Sequence, residues 1–150
     1  MKPPNVMPLR RDEGANLVEF SLIALMFFVV LLGIVEMGRL VLVYTSVANA
    51  SRAGARYAIV HGGTRTGSGV TGPSGPGNTS QVETTVKNFA SVGLLDTSRL
   101  TITVGYPNGS NTPGSLVSVT VTYPYDPFIS YFSSILSPTL GSTSEGVVTF

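Results

Sequence analysis

The chain has 150 residues, of which 11% are charged, and it contains no cysteine. This length accommodates one domain in addition to a membrane anchor. Lys2, Arg10 and Arg11 are three of the nine basic residues, and Asp12 and Glu13 are two of the eight acidic ones. From residue 15 onward, six basic residues therefore balance six acids. That balance argues against nucleic acid as a partner, because nucleic-acid binding needs a basic face.

The composition also limits the chemistry that the side chains offer. Disulfides and thiolate metal sites are excluded because cysteine is absent. The single histidine, His61, cannot form a multi-histidine metal site, and its position before a glycine pair is typical of a loop. The last four acids, Glu83, Asp96, Asp126 and Glu145, are scattered along the sequence. No serine lies in a G-x-S-x-G motif. We therefore expect neither an enzyme nor a bound metal or cofactor.

Residues 1–14 are predicted to form a weakly basic, unfolded leader. Residues 17–35 follow, and they are apolar except for Glu19 and Ser21. As a helix they span about 28 Å, close to the roughly 30 Å of a bilayer core. The alternative is a buried helix of a globular core, but too few residues remain to enclose a segment that is apolar on every side. The basic leader predicts a cytoplasmic N-terminus, with the chain after the helix outside the inner membrane.

The helix is predicted to continue beyond the apolar segment, over residues 15–60 in all. Residues 36–57 contain no proline, and apolar or small residues recur there at helical spacing. This stripe consists of Leu40, Val43, Tyr44, Val47, Ser51, Gly54, Ala55 and Ala58. The small residues toward its end would let another layer approach closely. Arg52 and Arg56 lie one turn apart on another face.

Residues 61–80 contain seven glycines and two prolines, so they are predicted to form a flexible surface loop. The exported domain is assigned to residues 81–150. At its start, Ser80 and Glu83 match a capping box, which predicts a short helix ending at Gly93. The apolar side of that helix is Val82, Val86, Phe89 and Ala90.

The apolar period then changes to two, which indicates strands. Apolar residues alternate with other residues in 100–106 and again in 117–125. The segment between these two runs contains an Asn-Gly pair, so we predict an antiparallel hairpin. Asp126 and Pro127 are predicted to start a helical turn. Its buried side would be Phe128, Ile129, Phe132, Ile135 and Leu136. Residues 140–150 are a candidate third strand. These elements predict an α+β fold in which the outer half of the long helix covers a small antiparallel sheet.

Gly14 and Glu19, around the start of the apolar segment, are the residues that indicate a function. Glu19 places a carboxylate at the edge of the membrane, where an unpaired charge costs roughly 2.5–3.5 kcal/mol at mid-bilayer and less near the interface. Glu19 snorkelling to the headgroups is the simplest explanation. However, cleavage after Gly14 is favoured by the order of the features around it. A basic leader comes first, Gly14 and Ala15 follow, and Glu19 is the fifth residue after the glycine. Glu19 would then be placed to pair with the free α-amine of a neighbouring subunit, which neutralises both charges.

The sequence around these residues resembles a known processing site. The segment G-A-N-L-V-E-F is similar to the leader-peptidase site of type IV prepilins, with Gly14 at the cleavage position and Glu19 as the pilin glutamate. The sequences GIVEMGRL at 33–40, ANASRAGARYA at 48–58 and VSVTVTYPY at 117–125 resemble the TadE-like family, minor pseudopilins of the tight-adherence (Tad, or Flp) pilus system. Phe20 stands where the major pilins of that system favour tyrosine, which favours a minor subunit.

The resemblance implies a type IV pilin-like fold and a structural role in pilus assembly, at initiation or at an adhesive tip. It also implies the partners: the inner membrane, a prepilin peptidase, other pilin or pseudopilin subunits and the Tad assembly machinery. Two alternatives are a principal filament subunit and a membrane-tethered binding module that never joins a filament. Cleavage after Gly14 separates both pilus roles from the tethered module. Abundance in sheared filaments separates a principal subunit from a minor one.

Overall fold

The computed structural model describes residues 12–93, 95–128 and 137–150. The elements along the chain are helix α1 (Asp12–Val60), helix α2 (Ser80–Val92) and strands β1 (Thr101–Gly105), β2 (Leu116–Pro124) and β3 (Thr139–Val147). Short 3-10 turns occupy Gly69–Thr71 and Thr97–Arg99. The chain divides into two compact units, of which the first ends at Met37 and the second is Gly38–Phe150.

The first unit contains the N-terminal part of α1, from Asp12 to Met37. Its large apolar side chains are exposed around the whole helix, from 41% for Leu31 to 72% for Met26. Among the described residues, α1 is the one helix that is long and apolar enough to cross a membrane, and none of its most apolar stretch is buried. A helix that is apolar on every side is stable in lipid rather than in water.

The helix begins earlier than the sequence predicted. Residues 12–14 are helical, so the prediction of an unfolded leader was wrong for them, while residues 1–11 lie outside the described residues. A glycine inside a helix costs roughly 1 kcal/mol relative to alanine. The long run of helix-forming residues after Gly14 outweighs that cost.

The second unit contains a three-stranded antiparallel sheet in the order β1-β2-β3. The predicted hairpin is confirmed, and its register places Val104 opposite Val119. The predicted third strand is confirmed as well, although it begins at Thr139 and ends at Val147, before the end of the predicted range. Alternation along β2 buries one apolar face. The buried residues of that face are Val117, Val119, Val121 and Tyr123.

The outer half of α1 covers this face, so the predicted α+β class is confirmed. The buried members of the predicted stripe are Val43, Val47, Ser51, Gly54, Ala55 and Ala58. Tyr44 was wrongly included, because it is 48% exposed. The hydroxyl of the fully buried Ser51 lies 3.1 Å from Oγ of Ser142 and 2.9 Å from Oγ of Ser144. The inward-facing serines of β3 are therefore hydrogen-bonded beneath the helix.

Helix α2 completes the core. As predicted, Gly93 terminates it, as the C-cap, and the helix buries Val82, Val86 and Ala90. These three residues are four positions apart and form a single line along the helix. Phe89 flanks that line and is 55% exposed, so its assignment to the core was wrong. The N-cap is Thr79 rather than Ser80, and the Thr79 hydroxyl donates to Oε1 of Glu83 at 2.7 Å.

Two further predictions concern the segments between the helices and strands. The segment at 61–80 is anchored at Ser74, which is 2% exposed and donates its N–H and its hydroxyl to the His61 carbonyl at 2.7 and 3.0 Å. Phe128, predicted as buried, is 81% exposed. The other residues predicted for the buried side of that turn, Ile129, Phe132, Ile135 and Leu136, lie outside the described residues.

Candidate functional site

The predicted processing residues lie in the first turns of α1. Gly14, Ala15 and Glu19 are all helical and exposed. Ala15 and Glu19 are four positions apart, so they share one face of the helix. A Cβ added to Gly14 would have no atom within 4 Å. Packing within the described chain therefore does not require glycine at this position.

A groove of about 870 Å³ lies between α1 and α2 in the second unit. On the α1 side it is lined by Arg52 and Arg56, which are both exposed. On the α2 side it is lined by Phe89 and Val92, which are 55% and 83% exposed. The groove thus combines two guanidinium groups with a solvent-exposed apolar wall.

One end of the groove is formed by an aromatic stack at the end of α1. The rings of Tyr57 and His61 are stacked, with 3.9 Å between centroids and an interplanar angle of 9°. The Tyr57 hydroxyl donates to the Val70 carbonyl at 2.6 Å. Burial raises the pKa of the Tyr57 phenol, and the positive charge of Arg65 opposes that change. These contacts hold the aromatic end of the groove in one arrangement.

A second cluster of charged residues joins α1 to the ends of the strands within the same unit. Nη1 of Arg99 lies 2.7 Å from Oδ2 of Asp126, and Nη1 of Arg39 donates to the Asp126 carbonyl at 3.0 Å. The two guanidinium carbons lie over aromatic rings, Arg39 at 5.3 Å from Tyr125 and Arg99 at 5.6 Å from Tyr123. The hydrogen bond to Asp126 raises the pKa of Arg99. These contacts hold Arg39 of α1 against the residues that precede β1 and follow β2.

The chemistry available in the groove is anion binding. Arginine guanidinium groups form bidentate, charge-assisted hydrogen bonds with carboxylates and phosphates. Within the part of the chain that the structure describes, no group of three or more His, Cys, Asp or Glu residues is arranged to hold a metal ion. The single histidine instead stacks on Tyr57 at the end of α1.

Residues 14–56 match the family model described as TadE-like protein. This segment is therefore similar to TadE-like proteins. The match begins at Gly14 and extends through Arg56, so it confirms the family resemblance over those residues, whereas the resemblance at 117–125 lies outside the match. No similar protein was found among curated proteins or among solved structures.

The similarity of residues 14–56 to TadE-like proteins suggests involvement in the Tad pilus system. Among the described residues, the apolar helix near the N-terminus fits a membrane-anchored pilus component, as does the TadE-like match.

Sequence reasoning identified parts of the second unit's surface but not their arrangement. It placed Arg52 and Arg56 on a face separate from the core stripe, whereas it assigned Phe89 to the core. It did not find the contact between Arg39 and Asp126, which are 87 positions apart. For the groove a signal was present, because the apolar residues of α2 lie on two lines rather than one. One line is buried in the core, and the other, with Phe89 and Val92, is exposed and lines the groove.

Proposed function

We propose that this chain is a minor pseudopilin of a tight-adherence pilus and acts in pilus assembly, either at initiation or at the tip. The observation that carries the proposal is the TadE-like match, which begins at Gly14 and continues through the apolar helix. A prepilin peptidase cleaves after Gly14 and leaves Ala15 as the new N-terminus. The protein is then held in the inner membrane, with its second unit outside the cytoplasm.

In this proposal Glu19 sets the position of the helix relative to its neighbours. The α-amine that cleavage creates at Ala15 and the Glu19 carboxylate lie one turn apart on the same face. Glu19 is exposed, so its own chain does not enclose the carboxylate. A neighbouring subunit's amine neutralises that carboxylate, and the two charges together are better tolerated in lipid than either alone. Pairing within one helix is the alternative, and it would have no specific effect on assembly.

The experiment that tests this proposal is Glu19→Ala in the piliated host. We expect the variant to insert and to be cleaved as well as the parent, because removing a charge makes insertion easier. We also expect that it fails to co-purify with other pilus subunits and that few pili form. Glu19→Asp keeps a carboxylate and should retain more assembly, while Glu145→Ala removes an exposed carboxylate from β3 and should have no effect. Normal pilus number and partner recovery with Glu19→Ala would contradict the proposal.

Two further measurements separate this function from its alternatives. The N-terminal sequence of protein recovered from membranes should begin at Ala15, whereas a tethered binding module outside the pilus system would keep residues 1–14. Protein from sheared filaments should contain this chain as a minor component. If it were the predominant component, the chain would be a principal pilin.

A further inference from the structure

The groove between α1 and α2 carries two positive charges that its own domain does not neutralise. No carboxylate among the described residues forms an ion pair with Arg52 or Arg56, and no acidic residue lines the groove. Within the described part of the chain, Arg52 donates a hydrogen bond to a neutral side-chain acceptor, Oδ1 of Asn49, at 3.3 Å. The fold therefore leaves both guanidinium groups available to an external anion.

The other side of the groove is apolar. Phe89 and Val92 are 55% and 83% exposed, although both belong to the same short helix that contributes to the core. Single exposed apolar residues are common, but here two of them line one groove together with two arginines and a tyrosine. Aromatic residues and arginine are enriched where protein–protein interfaces concentrate their binding energy. This composition is typical of a protein-binding groove.

Both ends of the groove are held in position by the fold. A Cβ on Gly93 would clash with the Ser46 side chain, so α1 and α2 approach closely at that end. At the other end, the Tyr57 hydroxyl is bonded to the Val70 carbonyl, and the ring is stacked on His61. A groove that is already formed loses little conformational entropy when it binds a partner.

We propose that this groove binds an amphipathic helical segment of a partner subunit, one that carries two carboxylates a turn apart beside an apolar stripe. The inference rests on the proposed function, because pilus assembly brings the chain into contact with other subunits. Arg52 and Arg56 are four positions apart, which places their side chains about one helical turn, roughly 5–6 Å, from each other. Two carboxylates at the same spacing on a second helix match them. The apolar stripe of that helix covers Phe89 and Val92, as in other complexes where a helix lies in a groove.

Other occupants fit the groove less well. A free phosphate or sulfate ion would engage the arginines and leave Phe89 and Val92 in water. A second copy of this chain would have to supply the two acids itself. Among the described residues of the second unit, α2 carries only Glu83, and the described part of α1 in this unit carries no acid. The geometry therefore favours a different subunit.

The test uses the full chain in detergent micelles and a fluorescently labelled synthetic peptide of about 20 residues, a length that supports a helix. The peptide carries two glutamates four positions apart beside a leucine stripe, and a matched peptide carries lysines in their place. We expect the glutamate peptide to bind, by fluorescence anisotropy, and Arg52→Glu/Arg56→Glu to weaken that binding by about tenfold or more. The same double variant should gain affinity for the lysine peptide. Phe89→Ala should weaken the binding of the glutamate peptide to the parent chain.

Lys87→Glu is the matched control, because it reverses an exposed charge on α2 at a position that does not line the groove. It should leave both affinities unchanged. Equal binding of the two peptides to the parent, or no binding of the glutamate peptide, overturns the proposal. Displacement of the glutamate peptide by inorganic phosphate, with no effect of Phe89→Ala, would show an anion site only. Concentration-dependent self-association that Arg52→Glu/Arg56→Glu abolishes would show a second copy as the occupant, and would likewise overturn the proposal.

The peptide measurement is independent of processing and piliation. Normal pili with Glu19→Ala would overturn the proposed function but would leave the charge-reversal result in place. Failure of the peptide measurement would remove the groove as a docking site and would leave the role of Glu19 to be judged on its own test.

Discussion

A Cβ placed on Gly54 would lie 2.5 Å from Cγ2 of Val86 and 3.1 Å from Cγ1 of Val119. Gly54 is therefore a point at which α1, α2 and β2 approach one another closely. Both neighbours are β-branched and fully buried, so they have few other rotamers available. The absence of a side chain at this position is a condition for the three-layer contact.

We predict that Gly54→Ala destabilises the second unit. Alanine gains roughly 0.5–1 kcal/mol of helix propensity over glycine, but overpacking a tight core costs about 1–3 kcal/mol. Urea unfolding, followed by the fluorescence of the tyrosines, should show a lower midpoint. Gly38→Ala is the control, since a Cβ there meets no atom within 4 Å, and it should leave stability unchanged or slightly raised. An equal rise of the urea midpoint in both variants would contradict the prediction, because it would show that the core accommodates the methyl group.

A second prediction concerns the part of α1 that belongs to the second unit. Residues 38–150 expressed alone should be soluble and folded, because the outer half of α1 stays on the apolar face of the sheet. Residues 63–150 lack that half and expose the line of valines on β2, so this fragment should aggregate or stay unfolded. Amide hydrogen exchange measures the difference. Similar protection of β2 in both fragments would show that α1 is dispensable for the core.

A third prediction concerns Asp96 and the turn before β1. The hydroxyl and the backbone N–H of Ser98 donate to Oδ1 of Asp96 at 2.7 and 3.0 Å, and these bonds lower the pKa of the carboxyl. A lowered folded-state pKa means that the ionised form stabilises the fold at pH values above the unfolded-state pKa. That contribution is lost as pH falls through the folded-state pKa.

Ser98→Ala removes the hydroxyl donor and keeps the backbone donor, so the pKa of Asp96 should rise toward its ordinary value. An NMR titration of the Asp96 carboxyl carbon measures this change directly. Ser91→Ala removes a hydroxyl that bonds the Asn88 carbonyl instead, and it should leave the Asp96 titration where it was. An unchanged Asp96 titration in Ser98→Ala would mean that the backbone N–H alone sets the pKa.

A fourth prediction concerns processing at Gly14. Nothing in the described chain packs against this glycine, so a requirement for glycine would come from close approach of the peptidase to the backbone. We expect Gly14→Val to insert but to retain residues 1–14, which a gel shift and N-terminal sequencing detect. Gly33→Val, at another open position on the same helix, should be processed normally. Normal maturation of Gly14→Val would show that the leader assignment is wrong.

Local patterns in the sequence were sufficient to predict the long helix and the strands of the hairpin. The apolar run from residue 17 to 35 predicts a helix that spans a bilayer, because length and hydropathy are properties of consecutive residues. The alternation in 100–106 and 117–125 predicts the hairpin, since a period of two places one set of side chains on one face. The stripe through Val47, Gly54 and Ala58 predicts the buried face of the outer helix for the same kind of reason. In each case the side chains that matter are close together in the chain.

Only the tertiary structure decided which of the apolar and charged residues outside those patterns meet. Phe89 has the spacing of a core residue, yet the close contact at Gly54 aligns α2 on Val82, Val86 and Ala90 and leaves Phe89 in the groove. Arg39 reaches Asp126 across 87 positions of sequence, which no periodicity encodes. Such contacts depend on the distance and angle between packed elements, and those are set by the shapes of all the side chains between them.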